Sequence, residues 1–466
     1  MKNVLRPVAF TLLGLIGLSA VWLTGIQATA GSDYRDDPRN VRAAQAPPDS
    51  SRGRILTADG VVVAEDGPDG ERIYPEGARY AHIVGYDAAA GRTGIELTRY
   101  AAMRSRDDGS ITAWLLSSMG ADLGPPDVHL TIVDAVQKAA VAGLGSQTGA
   151  VVAIDPRTGA VLAYVSTPGF DPNDVVGGSF DPTDDASQNA LIDRVADRLL
   201  PPGSTFKVIV SAAALVAGIT PDTAFDDATE YVPPDGIAIH NAGDDDCITG
   251  STLTLTDALV VSCNVVFARL AVDTGARAIV SAAEQAWFNH PLPWETGAAK
   301  SSIPTAASFE ADPAALAQSG LGERDVRATP LLMALIASAL GDDGVAMKPF
   351  VVDSVVAPDG EAIEVTSPET LTRMFPSAVV EDLLAMMTQV VERGTGRSGA
   401  VQGITVAGKT GTAEGAGGPH AWFIAVAPVE NPTIAVAVLV EGGGAGGSVA
   451  APIAARVMEA WLNFES

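Results

Sequence analysis

Apolar and polar positions alternate along this chain in blocks, and block length separates one membrane-length run from many strands and helices. Residues 8–26 are apolar or small and carry no charge. Nineteen residues at a helical rise of about 1.5 Å come close to the roughly 30 Å hydrocarbon core of a bilayer. Lys2 and Arg6 precede the run, and Asp33, Arg35, Asp36 and Asp37 follow it. The positive flank stays cytoplasmic. The expected arrangement is a single-pass anchor in the cytoplasmic membrane, with the rest of the chain extracytoplasmic. A cleaved signal peptide ending near Ala28-Thr29-Ala30 is the alternative, and either reading exports everything beyond about residue 30.

A polar, turn-rich stretch covers residues 31–51. Residues 53–64 then read as strand, Asp59-Gly60 turn, strand. Helical patterns follow at 93–103 and 133–143. A clearer hairpin comes next: residues 149–155 and 160–166 are apolar, with the Pro156-Arg157-Thr158-Gly159 turn between them. Residues 168–185 are rich in Gly, Pro and Asp and read as loop. After Pro201-Pro202-Gly203 the pattern becomes helical at 205–217, and again at 253–272, 326–340 and 378–393. Strand-length apolar runs occupy 404–409, 421–428 and 433–441, and a helix is expected over 449–464. The Gly-rich run 442–447 reads as a surface loop without chemistry. Two terminal sets of strands around a helical middle predict an α/β (α+β) fold. It is one antiparallel sheet built from both chain ends, with a helical subdomain inserted. The expected division is 1–30 tip and anchor, 31–146 extracytoplasmic pedestal, and 147–466 catalytic domain.

Composition narrows the function. The chain has 466 residues, 56 acidic against 29 basic, for a formal net charge of −27. Such a polyanion is repelled by phosphate backbones, which excludes nucleic acid as partner. Aromatics make up 5%, too few for base-stacking platforms. The five histidines (82, 129, 240, 290, 420) are scattered, and with two cysteines they suggest no metal cluster. Cys247 and Cys263 are expected to pair outside the membrane. The closed loop of about 16 residues would be worth roughly 3 kcal/mol in a chain-entropy account. Two separate buried thiols are the alternative.

Only six residues are lysine, and two of them fall inside suggestive tetrapeptides. Ser204-Thr205-Phe206-Lys207 puts a hydroxyl and an amine on one helical face, one turn apart, at a helix start that favours developing negative charge. A lysine serves as base for a serine nucleophile only if desolvation or a neighbouring cation lowers its pKa from about 10.4. Lys409 is the candidate neighbour. Ser262-Cys263-Asn264 supplies a second hydroxyl for proton relay and a carboxamide for a peptide-like substrate. Ser187-Gln188-Asn189 has the same form, but it precedes Ser204 and lies in the acidic loop. Lys409-Thr410-Gly411-Thr412 ends an apolar strand. Gly411 would let an extended substrate lie against the strand edge, and Lys409 would attract its carboxylate. The backbone N–H groups of Ser204 and Thr412 could form an oxyanion hole. Each motif alone is weak; the ordered set points to a serine acyl-transferase.

On these residues the chain resembles the class B penicillin-binding proteins, closest to the actinobacterial penicillin-binding protein A group. The likeness extends to Asp37-Pro38-Arg39-Asn40, Arg52-Gly53, Thr329-Pro330-Leu331, Gly394-Thr395-Gly396 and His420-Ala421-Trp422-Phe423. Gly322-Glu323 departs from the Gly-Gln of many relatives. The resemblance implies a five-stranded sheet flanked by helices and a peptidoglycan D,D-transpeptidase. Ser204 is then the acylated nucleophile, Lys207 its base and Ser262 the relay. Asn264, Lys409, Thr410, Gly411 and Thr412 bind substrate. It implies stem peptides and β-lactams as ligands, no cofactor, and a polytopic glycan polymerase of the shape, elongation, division and sporulation type as partner. A D,D-carboxypeptidase uses the same motifs, and a non-enzymatic β-lactam sensor is a further alternative. About 115 residues between anchor and second hairpin are too few for a glycosyltransferase domain. No Gly-x-Ser-x-Gly elbow supports a Ser-His-Asp esterase.

Overall fold

The computed structural model describes residues 51–104, 118–120, 123–242, 247–248, 252–415 and 417–465, with residues 15, 18, 19 and 22. The apolar run 8–26 lies outside them except at those four positions. Among the described residues no helix is long and apolar enough to cross a membrane.

The strands that organise the molecule are, in chain order, β1 (Ile55–Leu56), β2 (Val62–Asp66), β3 (Arg72–Ile73), β4 (Asp127–Leu130), β5 (Gly149–Ile154) and β6 (Val161–Thr167). They continue as β7 (Val352–Val356), β8 (Ala362–Val365), β9 (Ala407–Ala413), β10 (His420–Ala427) and β11 (Ile434–Val440). The main helices are α1 (Asp134–Leu144), α2 (Lys207–Val216), α3 (Leu255–Val260), α4 (Asn264–Thr274), α5 (Pro330–Gly341), α6 (Ser377–Arg393) and α7 (Ala450–Glu465).

Strands from both halves of the chain form a five-stranded sheet in the order β9-β10-β11-β5-β6, antiparallel throughout. Apart from β9, its strands are largely apolar on both faces because helices cover both. Val152, Ile154, Ile424 and Ala437 join a core with α5, every residue of which from Pro330 to Leu340 is buried. The alternate residues Val151, Ala153, Phe423 and Val436 pack with α1 and α7. Such continuous apolar runs suit a sheet sandwiched between two layers. β9 is left at the edge, and its outer side borders the cleft described below.

A second sheet, in the order β8-β7-β4-β1-β2-β3, draws on both sides of residue 146. Beneath it Arg72 is fully buried and donates to Glu96 at 2.6 Å and to the Gly53 carbonyl at 2.9 Å. A buried guanidinium is tolerated only when paired in this way.

Several elements differ from the sequence pattern. The helix expected at 93–103 is one short turn, Gly94–Thr98. The loop 168–185 contains the helix Pro172–Val176, capped by Asp171. The helix expected at 326–340 begins at Pro330, where Thr329 accepts the Leu332 N–H at 3.2 Å and proline occupies the first turn. The pattern over 253–272 is two helices. A Thr254/Asp257 capping box starts α3, and the chain breaks at Ser262 before α4.

Candidate active site

The break at Ser262 is where the site begins. Ser262 has φ 61°, a left-handed conformation costing an ordinary residue roughly 1–2 kcal/mol. It breaks the helical run, so that Ser262 and Asn264, the first residue of α4, both line a cleft of about 920 Å³. Cys263 between them is disulfide-bonded to Cys247, with the Cα atoms 5.5 Å apart. The other end of the bridge is held by Asp227, whose carboxylate accepts the N–H groups of Cys247 and Ile248, both at 2.8 Å. The two sulfurs near Asp227 are bonded to each other and so form no metal site.

Ser204 sits not on an α-helix but in a single 3-10 turn, Gly203–Phe206, that leads into α2. In 3-10 geometry residues three apart eclipse, so Ser204 and Lys207 still share a face. The turn is pinned from behind. Thr205 Oγ1 donates to the Pro202 carbonyl at 2.7 Å, and the Gly203 N–H donates to the Gly322 carbonyl at 3.0 Å. Gly322 has φ 77°, and a Cβ there would lie 2.0 Å from the Gly203 carbonyl oxygen. Only glycine lets this segment close on the turn.

Lys207 is fully buried. Its Nζ lies 2.7 Å from the Ser262 carbonyl oxygen, 2.8 Å from Asn264 Oδ1 and 3.3 Å from Ser262 Oγ. Lys409, also fully buried, donates to Ser262 Oγ at 3.0 Å and to the Thr410 carbonyl at 2.9 Å. Burial holds the Lys207 amine well below the usual lysine range, and the charge of Lys409 lowers it further. Burial lowers Lys409 to about 7. Two amines sharing one hydroxyl do not both stay charged, and Lys207 is the one held neutral. A neutral amine has two N–H groups. Given to the Ser262 carbonyl and Asn264, they leave its lone pair for a hydroxyl proton.

The Lys-Thr-Gly-Thr segment lies within β9 rather than at its end, in register opposite residues 421–424 of β10. Thr410 Oγ1 is 2.7 Å from Thr395 Oγ1. Gly411 also packs closely against the segment that carries Ser204. A Cβ there would lie 2.7 Å from the Pro202 carbonyl oxygen, so the glycine admits the nucleophile turn. Thr412 is exposed on the cleft and accepts the Gly446 N–H at 3.3 Å.

That last contact corrects the reading of the Gly-rich run as a loop without chemistry. Ala445, Gly447 and Ser448 line the cleft beside Ser204, Ser262 and Asn264. A Cβ on Gly446 would sit 2.3 Å from the carbonyl oxygens of both Gly411 and Trp422. Replacing Gly446 with valine should force β9 from β10, costing about 1–3 kcal/mol and slowing acylation. A melting curve and acylation rate both equal to the parent's would mean the loop does not support the cleft. Sequence reasoning also passed over Glu323 and Glu414 as cleft residues. The Gly322-Glu323 departure was the available signal for the first.

A hydroxyl at the start of a helix, a buried neutral amine on its face and a second hydroxyl joined to a second buried amine define a serine acyl-transferase site. Residues 149–459 match the penicillin binding protein transpeptidase domain, and residues 52–122 match the penicillin binding protein A dimerisation domain. The chain belongs to the penicillin-binding protein transpeptidase family. It is 35% identical to the peptidoglycan D,D-transpeptidase PbpA of Mycolicibacterium smegmatis, over 99% of both chains. It is 33% identical to the PbpA of Mycobacterium tuberculosis over the full length of both. The ceftriaxone acyl-enzyme complex of penicillin-binding protein A from M. tuberculosis superposes with a TM-score of 0.82 at 33% identity. That match covers 88% of this chain and 98% of the other.

Proposed function

We infer that this protein is a peptidoglycan D,D-transpeptidase that works through an acyl-enzyme on Ser204. The observation that carries the reading is the hydrogen-bonded series Lys207–Ser262–Lys409 along the wall of the cleft that Ser204 lines. In the first half-reaction Ser204 Oγ attacks the carbonyl of the penultimate D-Ala of a stem pentapeptide, and neutral Lys207 takes its proton. Ser262 relays a proton to the amine of the terminal D-Ala, which leaves. In the second half an amine from a neighbouring stem attacks the ester, gives its proton back along the same path, and forms the cross-link. Asn264 holds the donor backbone, Gly411 keeps β9 against the nucleophile turn, and Lys409, Thr410 and Thr412 hold the terminal carboxylate. The N–H groups of Ser204 and Thr412 stabilise the oxyanion. A free edge on β9 supports strand-like donor binding. β-Lactams mimic the donor and leave a stable ester. The PbpA acyl-enzyme complexes of the relative support this.

The reading includes a single-pass anchor over residues 1–30, a pedestal over 31–146 and a catalytic domain over 147–466. The apolar run, its basic flank and the full-length match to PbpA chains support it. A polytopic glycan polymerase of the shape, elongation, division and sporulation type is the partner proposed for anchor and pedestal.

Intact-mass measurement after incubation with penicillin should give one covalent adduct, mapping to the peptide that carries Ser204. With a pentapeptide donor and a labelled acceptor amine, labelled cross-linked product should form. Free D-Ala without cross-linked product would make the protein a D,D-carboxypeptidase. Acylation with neither product would leave the sensor reading standing.

A further inference from the structure

Glu323 lies in the catalytic cleft without a salt-bridge partner among the described residues. Its position follows from the nucleophile turn: Gly203 is hydrogen-bonded to Gly322, so the residues that follow each, Ser204 and Glu323, come to the same cleft wall. One Glu323 oxygen accepts the N–H of Glu414 at 3.3 Å. That neighbour, one residue past β9, brings a second carboxylate to the cleft. Arg327 and Lys207 attract Glu323 through space without pairing with it. Arg327 Nη1 donates to the backbone carbonyls of Arg324 and Val326. Arg324 pairs with Asp312 and Asp325, and Lys207 is held by Ser262 and Asn264. Among the described residues no lysine or arginine lies within ion-pairing distance of Glu323.

A half-buried carboxylate without a directly paired cation is unfavourable, and a cation supplied by a ligand relieves it. Burial, with repulsion from Glu414 added, pushes the Glu323 carboxyl up to about 7. It is therefore a group whose charge an incoming ammonium would fix.

We propose that Glu323, reinforced by Glu414, is a specificity-determining residue that recognises a protonated primary amine carried by a stem peptide. The proposal rests on the transpeptidase reading above. Two sources carry this chemistry: a diamino side chain on the donor stem, or the acceptor amine on arrival. A donor lying along β9 with its carboxylate at Lys409 and Thr410 advances about 3.3 Å per residue. Its residues upstream of the scissile bond then reach Ala413 and Glu414, next to Glu323.

The test compares two pentapeptide donors, identical except for a free or an acetylated side-chain amine, on the full-length enzyme and on Glu323→Gln. The acceptor concentration dependence is measured on both proteins as well. If the donor supplies the cation, the parent acylates about tenfold faster with the free amine, and Glu323→Gln brings that ratio close to one. If the acceptor supplies it, donor ratios are near one in both, and the acceptor KM rises about tenfold in Glu323→Gln with kcat kept. No change in either arm overturns the proposal. Glu323→Asp, which keeps the charge, should keep the preference.

Should Glu323→Gln fail to fold, the parent alone decides. Either the donor's amine preference must shrink or the acceptor KM must rise as pH falls from about 8 to about 6, because Glu323 takes up a proton while the primary amine stays charged. Glu414, Arg324, Arg327 and Lys207 face the same space, and a matched substrate pair cancels their shared effects on rate. A donor ratio and an acceptor KM that both stay flat over this range overturn the proposal. Failure of penicillin to acylate the parent would instead sink the transpeptidase reading.

Discussion

Lys207→Arg is expected to reduce acylation by penicillin at least about 10³-fold, to near the level of Ser204→Ala, although the positive charge is kept. Removal of a positioned general base costs on the order of 10²–10⁴ in rate. Arginine does not deprotonate in proteins, so it has no lone pair for the Ser204 proton. The pocket is also built for a slender amine, with three polar atoms of Ser262 and Asn264 within 3.3 Å of Nζ. Lys409→Arg keeps a charge for the substrate carboxylate and should lose less, about 10- to 100-fold. The pH profile adds a second readout. Lys207 must be neutral to act, and burial beside Lys409 lowers its pKa. Acylation should therefore remain fast well below the pH at which a free lysine becomes charged, and then fall as acid protonates Lys207. Stopped-flow acylation with a chromogenic β-lactam measures both effects. Equal losses in the two variants would show that base and carboxylate anchor are not divided in this way.

The second large effect concerns the Cys247–Cys263 bridge. Replacing both cysteines with serine should destabilise the protein by about 3 kcal/mol, the loop-closure value for a loop of this length, and slow acylation more than tenfold. The kinetic part follows from position. Cys263 stands between the left-handed Ser262 and the Lys207 ligand Asn264, and its partner is fastened through Cys247 and Ile248 to Asp227. Without the bridge, the hydrogen bonds from Lys207 and Lys409 to Ser262 are left to oppose its relaxation into helix without covalent support. Thermal unfolding and acylation, each with and without reductant, separate the contributions. A lowered melting temperature with an unchanged acylation rate would confine the bridge to global stability.

How far the sequence was legible depended on whether a segment's surroundings were local. The hairpin of β5 and β6 and the runs of β10 and β11 were readable because continuous apolar stretches bounded by turn residues report burial directly. The chemistry-bearing residues were readable because Ser204, Lys207, Ser262, Asn264 and Lys409 fall in short ordered motifs. The break at Ser262 was not, since the apolar pattern of α3 runs on into α4 and the backbone turns there without glycine or proline. The packing roles of Gly411 and Gly446 were not readable because their missing Cβ atoms accommodate carbonyls from distant segments. Glu323 stood out only as a departure in the sequence, and its place in the cleft came from a long-range hydrogen bond between two glycines.

The sheet that joins the two halves sets the order in which the molecule can be completed. β7 and β8 extend the sheet outward from β4, so the four-strand layer β4-β1-β2-β3 begun by the first 130 residues keeps an uncovered side until β7 has emerged. Sequence-distant pairing of this kind is slow to form. The amino-terminal layer is thus the first part synthesised and among the last to close. A growing chain arrested before residue 352 would present the bare edge of β4 to any other strand within reach.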